Sequence, residues 1–197
     1  MALALNKSSL KQQRDQLSLF RKFLPSLDLK RQQLLAALKE ARVQLQQVEA
    51  EIRRFDQLTE SLYPLLGSTT LASRDLSQLV RLKAVRIETE NLAGVHLPTV
   101  RELEFEVAPY STLATPFWVD SLVEAVRHMA ELRIRHSVQR QRVEQLETAG
   151  RRVTQRVNLF DKVLIPQAQQ SIKRIQIFLA DQERSAVVSS KIAKTKR

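Results

Sequence analysis

In residues 3–62, LALNKSSLKQQRDQLSLFRKFLPSLDLKRQQLLAALKEARVQLQQVEAEIRRFDQLTESL, an aliphatic side chain returns every seventh place, at Leu3, Leu10, Leu17, Leu24, Leu38, Leu45 and Ile52, with one skip at Arg31. A second series three places on, Phe20, Leu27, Leu34, Ala41, Val48, Phe55 and Leu62, completes an a/d pattern. A stripe of period 3.5 marks a helix that supercoils about a partner helix. Pro25 is the one breaker inside it, and the register holds from Leu24 to Leu27, so the spacing predicts a kink there rather than a stop.

The partner lies in the same chain. Trp118, Leu122, Ala125, Met129, Leu132, Val143, Leu146, Val153, Val157, Phe160 and Leu164 repeat the spacing, with His136, Gln139 and Gly150 as polar or small members. Beyond Pro166 the stripe steps to Ala168, Ile172, Ile175 and Leu179, and such four-residue steps are a stutter that locally unwinds a supercoil. Two stripes of similar length predict one chain folded back on itself, each arm on the order of 90 Å long at roughly 1.5 Å per residue. A compact multi-helix bundle is the competing fold, but neither arm carries the turn punctuation that short helix connections need. The expected fold is therefore mainly α: a long antiparallel two-helix coiled-coil hairpin with a small head. Its parts are a first arm over 1–62, a head over 63–117, a second arm over 118–185 and a basic tail over 186–197.

The head changes character. Tyr63, Pro64, Gly67 and the Ser68, Thr69, Thr70 cluster end the first arm, and Ser73 can cap a short helix carrying Leu76, Leu79 and Leu82, with Asp75 near its positive end. Val85, Ile87 and Thr89 then alternate with Arg86, Glu88 and Glu90, and Leu103, Phe105 and Val107 alternate with Glu102, Glu104 and Glu106. These two runs predict a strand pair with a long connection around Asn91, Gly94 and Pro98. A strand pair is marginal alone and must pack on the coil or on another protein.

The formal charge of +11 is unevenly placed. Residues 1–30 carry six basic and two acidic side chains, and residues 151–197 carry eleven and three, including Lys191, Lys194, Lys196 and Arg197. That excess suits either a solvated basic end or a tip that enters an acidic or carbonyl-lined socket or meets nucleic acid. The absence of cysteine fits a reducing compartment, and no apolar run reaches the roughly twenty residues that cross a bilayer, so a cytoplasmic protein is expected.

Residues for chemistry are sparse. Gly67, Gly94 and Gly150 are isolated and none precedes a Lys-Ser or Lys-Thr pair, so no phosphate loop is present. His96, His128 and His136 do not cluster at metal-ligand spacing, and Asp120, Ser121 and His128 point to different faces of one helix. No catalytic, cofactor or metal residue is assigned.

Three stretches carry a family resemblance. Leu27-Asp28-Leu29-Lys30-Arg31-Gln32-Gln33-Leu34-Leu35, Asn91-Leu92-Ala93-Gly94-Val95 with Pro98, and Arg151-Arg152-Val153 with Arg156-Val157-Asn158 and Val163-Leu164-Ile165-Pro166 resemble the D-subunit family of V-type ATPases, the central-stalk rotor. Leu159-Phe160-Asp161 stands where that family more commonly has Ala-Leu-Glu. The resemblance implies a non-catalytic shaft that couples ATP hydrolysis or synthesis in a ring of A and B subunits to ion flow through a membrane rotor ring. It implies contact with the ring, with the F subunit and with the funnel-shaped subunit above the membrane rotor, and a place peripheral to the membrane. On that basis Lys22, Lys30, Arg151, Arg152 and Arg156 are expected to touch the ring, and Val85, Ile87, Thr89, Leu103, Phe105 and Val107 to dock the head. The alternative is a basic coiled-coil nucleic-acid-binding or scaffold protein, against which stands the lack of aromatic residues interleaved with the basic run.

Overall fold

A computed structural model describes residues 4–60, 64, 79–110 and 116–195. In order these form helix α1 (Lys7–Thr59), strands β1 (Val80–Leu92) and β2 (Val95–Val107), helix α2 (Trp118–Leu159), a π-helical turn (Phe160–Leu164) and helix α3 (Ile165–Thr195). The chain is mainly helical with one antiparallel strand pair, as the two stripes and the alternating runs predict. The ends of the first stripe, Leu3 and Leu62, lie outside the described residues. So do the stop at Tyr63 and Gly67 to Thr70 and the start of the short helix at Ser73 to Leu76.

Helix α1 begins where Asn6 caps it, its Oδ1 accepting the Ser9 N–H at 2.7 Å. Pro25 sits inside it without breaking it. Proline removes the donor for the Arg21 carbonyl, but both residues are exposed, so water can take the vacant acceptor. Every seam member from Leu10 to Phe55 is buried or half-buried, and so is every member from Trp118 to Leu179. The heptad pattern therefore names the packed face correctly in both arms.

Contacts divide the chain into two compact units, residues 33–149 and residues 1–32 with 150–197. In the first unit α1 and α2 run antiparallel: Arg42 meets Glu147 at 2.6 Å, Glu49 meets His136 at 3.4 Å, and Phe55 meets His128 edge-on. Leu34, Leu132 and Leu146 are fully enclosed between them. In the second unit the rings of Phe20 and Phe160 meet edge to face at 5.4 Å, and Val153, Val157, Ala168 and Ile175 are buried.

The stutter takes a definite form. A four-residue step in an α-helix overshoots a turn by about 40°, so Phe160, Leu164, Ala168 and Ile172 would carry the stripe about 120° around the helix. The structure answers with the π turn, in which the Ile165 N–H donates to the Phe160 carbonyl over five residues. A wider turn rotates less per residue and returns part of that drift to the seam. Pro166 follows at once, and its ring would otherwise meet the carbonyl of Lys162.

The strand pair differs from expectation in three ways. β1 begins at Val80, so Leu82 belongs to a strand and not to the short helix. The strands run to a two-residue turn at Ala93 and Gly94, with φ of 50° and 79°, rather than to a long connection. Positive φ at both places is the type I′ geometry that matches strand twist, and Asn91 Oδ1 accepts the Gly94 N–H at 2.9 Å to hold it. The register also shifts twice, at Lys83 and at Arg101. These bulges keep Leu82, Val85, Ile87 and Thr89 opposite Phe105, Leu103, Val100 and Pro98, so one face stays apolar although the sequence alternation slips between Val100 and Leu103.

The strand pair packs on the helices of its own unit. Trp118, Val119 and Val123 at the start of α2 form a buried cluster with Leu79, Val80, Tyr110 and Leu122. Near the turn Leu97 is fully buried. Leu146→Ala should lower unfolding free energy by about 3 kcal/mol in denaturant titration, whereas Leu58→Ala, at a site 75% exposed, should stay within about 0.5 kcal/mol. Ala93 carries a left-handed strain that asparagine tolerates better, so Ala93→Asn should stabilise the hairpin by about 0.5 kcal/mol, measured by amide exchange in β1 and β2.

Candidate functional site

Polar residues on the seam are satisfied locally. Gln139 donates to the Ala41 carbonyl at 2.9 Å and to Gln44 Oε1 at 3.1 Å, across the two helices. His136 faces Glu49, and His128 packs on Phe55 while Asp120 accepts the Tyr110 hydroxyl at 2.6 Å, so Asp120 and His128 do not converge on Ser121. That hydrogen bond, with partial burial and the nearby Asp120 and Glu124 charges, raises the Tyr110 pKa above the ordinary phenol range. Among the described residues no group of three or more His, Cys, Asp or Glu could hold a metal ion. Also among them, no helix is long and apolar enough to cross a membrane.

What the described residues do present is surface of two kinds. The unit of residues 1–32 and 150–197 carries eighteen basic and five acidic side chains, against fourteen and sixteen in residues 33–149. The entire positive excess belongs to one unit. All five basic residues expected to touch a ring fall in it: Lys22, Arg151, Arg152 and Arg156 are exposed and Lys30 is half-buried. They do not share one side. Lys30, Arg152 and Arg156 each stand one residue before a seam position, Arg151 stands after one, and Lys22 lies on the back of α1.

The strand pair supplies the second surface. All six residues expected to dock there lie on its apolar face, with Val85 directly paired to Leu103. The face is unevenly covered: Val85, Leu103 and Phe105 are half-buried, Phe105 beneath the Arg127 guanidinium at 5.8 Å, whereas Ile87 and Thr89 are exposed and Val107 is 40% exposed. On the other face charges alternate, pairing Arg86 with Glu102, Lys83 with Glu104 and Arg101 with Glu88.

Arg142 ties this ribbon to α2 and was not legible as a key residue. Its guanidinium donates to Glu90 at 2.7 Å and to Thr99 at 2.9 Å, with only 18% of the side chain exposed. Its place directly before the seam residue Val143 is the available signal, since flanking positions bridge to whatever lies beside a coil.

Comparison with known proteins supplies the family. The model of the family described as the ATP synthase D subunit matches residues 9–195. The chain is 32% identical to the D subunit of the V-type ATP synthase of Borreliella burgdorferi, with 98% of this chain and 94% of that one aligned. It is 33% identical to the protein of the same name from Chlamydia muridarum and 31% to that from Chlamydia pneumoniae, each over 98% of this chain and over 95% and 91% of those proteins. A family model that matches residues 9–195 and near-complete alignment with these relatives, in a chain whose units each pack helices along a heptad seam, place this chain in the ATP synthase D-subunit family.

Proposed function

We propose that this chain is the central shaft of a V-type ATPase or ATP synthase, a non-catalytic component that carries torque between a nucleotide-binding ring and an ion-translocating membrane rotor. The observation that carries the reading is the seam packed within each unit between α1 and the helices after β2, which ties paired helices against relative twist while leaving their outer faces exposed. A pair of helices has no threefold symmetry, so three equivalent catalytic pairs arranged around it would meet three different surfaces and hold three different nucleotide states.

The basic unit is the part that enters the ring of A and B subunits, with Lys22, Lys30, Arg151, Arg152 and Arg156 making exchangeable contacts. Exposed ion pairs are each worth about 0–1 kcal/mol. A surface that turns must release each contact in order to meet the next, and such weak pairs permit it. The apolar face of the strand pair is the part that meets the rotor-end partners, the F subunit and the funnel-shaped subunit, through Ile87 and Val107, with Val85, Thr89, Leu103 and Phe105 shaping the face behind them. Attachment to the membrane is then through the assembled complex.

Charge reversal at Lys30, Arg152 and Arg156 together should leave far-ultraviolet dichroism unchanged and cut ions moved per ATP hydrolysed by about fivefold in reconstituted vesicles. Unchanged coupling would remove the ring assignment. Replacing Leu82 and Ile87 by serine should alter the stability of the isolated chain by less than about 1 kcal/mol, since each is close to half exposed, yet deplete the rotor-end partners from the purified complex. Full retention of those partners would exclude the strand face as their dock.

A further inference from the structure

The basic unit is two-sided. In an antiparallel helix pair, the twofold axis perpendicular to the plane of the pair carries each helix onto the other while keeping front to front. Side chains one residue before a seam position therefore share one side in both helices, and those one residue after share the opposite side. On the first side stand Leu19, Phe23 and Lys30 of α1, before Phe20, Leu24 and Arg31, and Arg152, Arg156 and Leu159 of α2, before Val153, Val157 and Phe160, with Val163 before Leu164 in the π turn. On the opposite side stand Ser18, Arg21, Pro25 and Asp28 with Arg151, Thr154, Asn158, Asp161 and Ile165. Over this stretch of described residues, one side has four large apolar residues, three cations and no acid. The other has mixed charge and a single large apolar side chain, the half-buried Ile165.

The edge-to-face contact of Phe20 with Phe160 sets the level of these residues. Leu19, Phe23, Leu159 and Val163 stand within three residues of Phe20 or Phe160 along the chain, and the seam leaves them 49%, 49%, 46% and 39% exposed. Lys30, Arg152 and Arg156 all lie on the same end of the strip, because numbering rises along α1 as it falls along α2. At roughly 1.5 Å per residue, Lys30 stands about 10 Å beyond Phe23. Apolar residues half open to water, bordered by cations on a side that carries no acid among these residues, fit a partner that supplies both missing halves.

We infer that this strip is the side on which the shaft is gripped, and that it takes a protein surface presenting an apolar side chain with carboxylates beginning beside it and continuing over about the next 10 Å. The inference rests on the ring-contact reading above and adds to it a direction: one side of the basic unit holds and the other slides. A gripping side would favour one angular stop per catalytic pair, because only one orientation joins apolar burial to charge pairing.

The test is titration of the full-length chain into the purified ring of catalytic pairs at low and high salt. Phe23→Ser with Val163→Ser should weaken binding about fivefold with the salt dependence retained, since the apolar contact is unscreened. Arg152→Gln with Arg156→Gln should weaken it about tenfold at low salt and flatten the salt dependence. The matched loss of two cations on the opposite side, Arg21→Gln with Arg14→Gln, Arg14 following Gln13 seven places before Phe20, should stay within about twofold. Equal losses on both sides, or strip variants that bind like wild type, would overturn the strip while leaving the shaft intact. A wild-type chain that fails to bind the ring would remove the shaft reading and the strip together.

Discussion

Burial of a heptad seam holds each of the two units together. Two helices side by side enclose only the residues that point at each other, so away from the strand pair little else compensates for a fault. That constraint explains why Leu34 and Ile175 are sealed from water while their neighbours one place away are open. It also explains why polar seam members must find partners across the pair, as Gln139 does on the Ala41 carbonyl and the Gln44 side chain. An unmet amide there would cost about 1–3 kcal/mol in a structure with little to spare.

The seam also dictates how irregularities are absorbed. A stripe that steps by four three times running cannot stay on a straight helix face, and the π turn from Phe160 to Leu164 is the local correction that keeps Ala168 and Ile175 buried. The strand pair solves the same kind of problem with bulges at Lys83 and Arg101, which hold one face apolar through a slip in alternation. Each device gives up regular hydrogen bonding to preserve the phase of a buried face. Around them, charge is sorted between the two units, so the outer surface of one is cationic and that of the other is balanced.

Much of this was legible in the amino-acid order because period and charge are local properties. Leucine spacing named both arms, their packed faces and the continuity of α1 through Pro25, and alternation named the strand pair and its apolar face. The two-residue turn was obscured by Ala93, a residue that seldom takes positive φ, and by Pro98, which reads as a break yet stands inside β2 opposite Thr89. A two-stranded ribbon has free edges, and a proline can point its missing donor outward there.

The sequence by itself determined the helical period, the partner stripe within the same chain and the sorting of charge, since each follows from spacing along one polymer. Only the tertiary structure decided that the ribbon is bound to α2 by Arg142 and that the stutter is taken up in one π turn. Those outcomes depend on which side chains two distant segments bring together, and one strand of sequence holds no record of the angle at which its partner approaches.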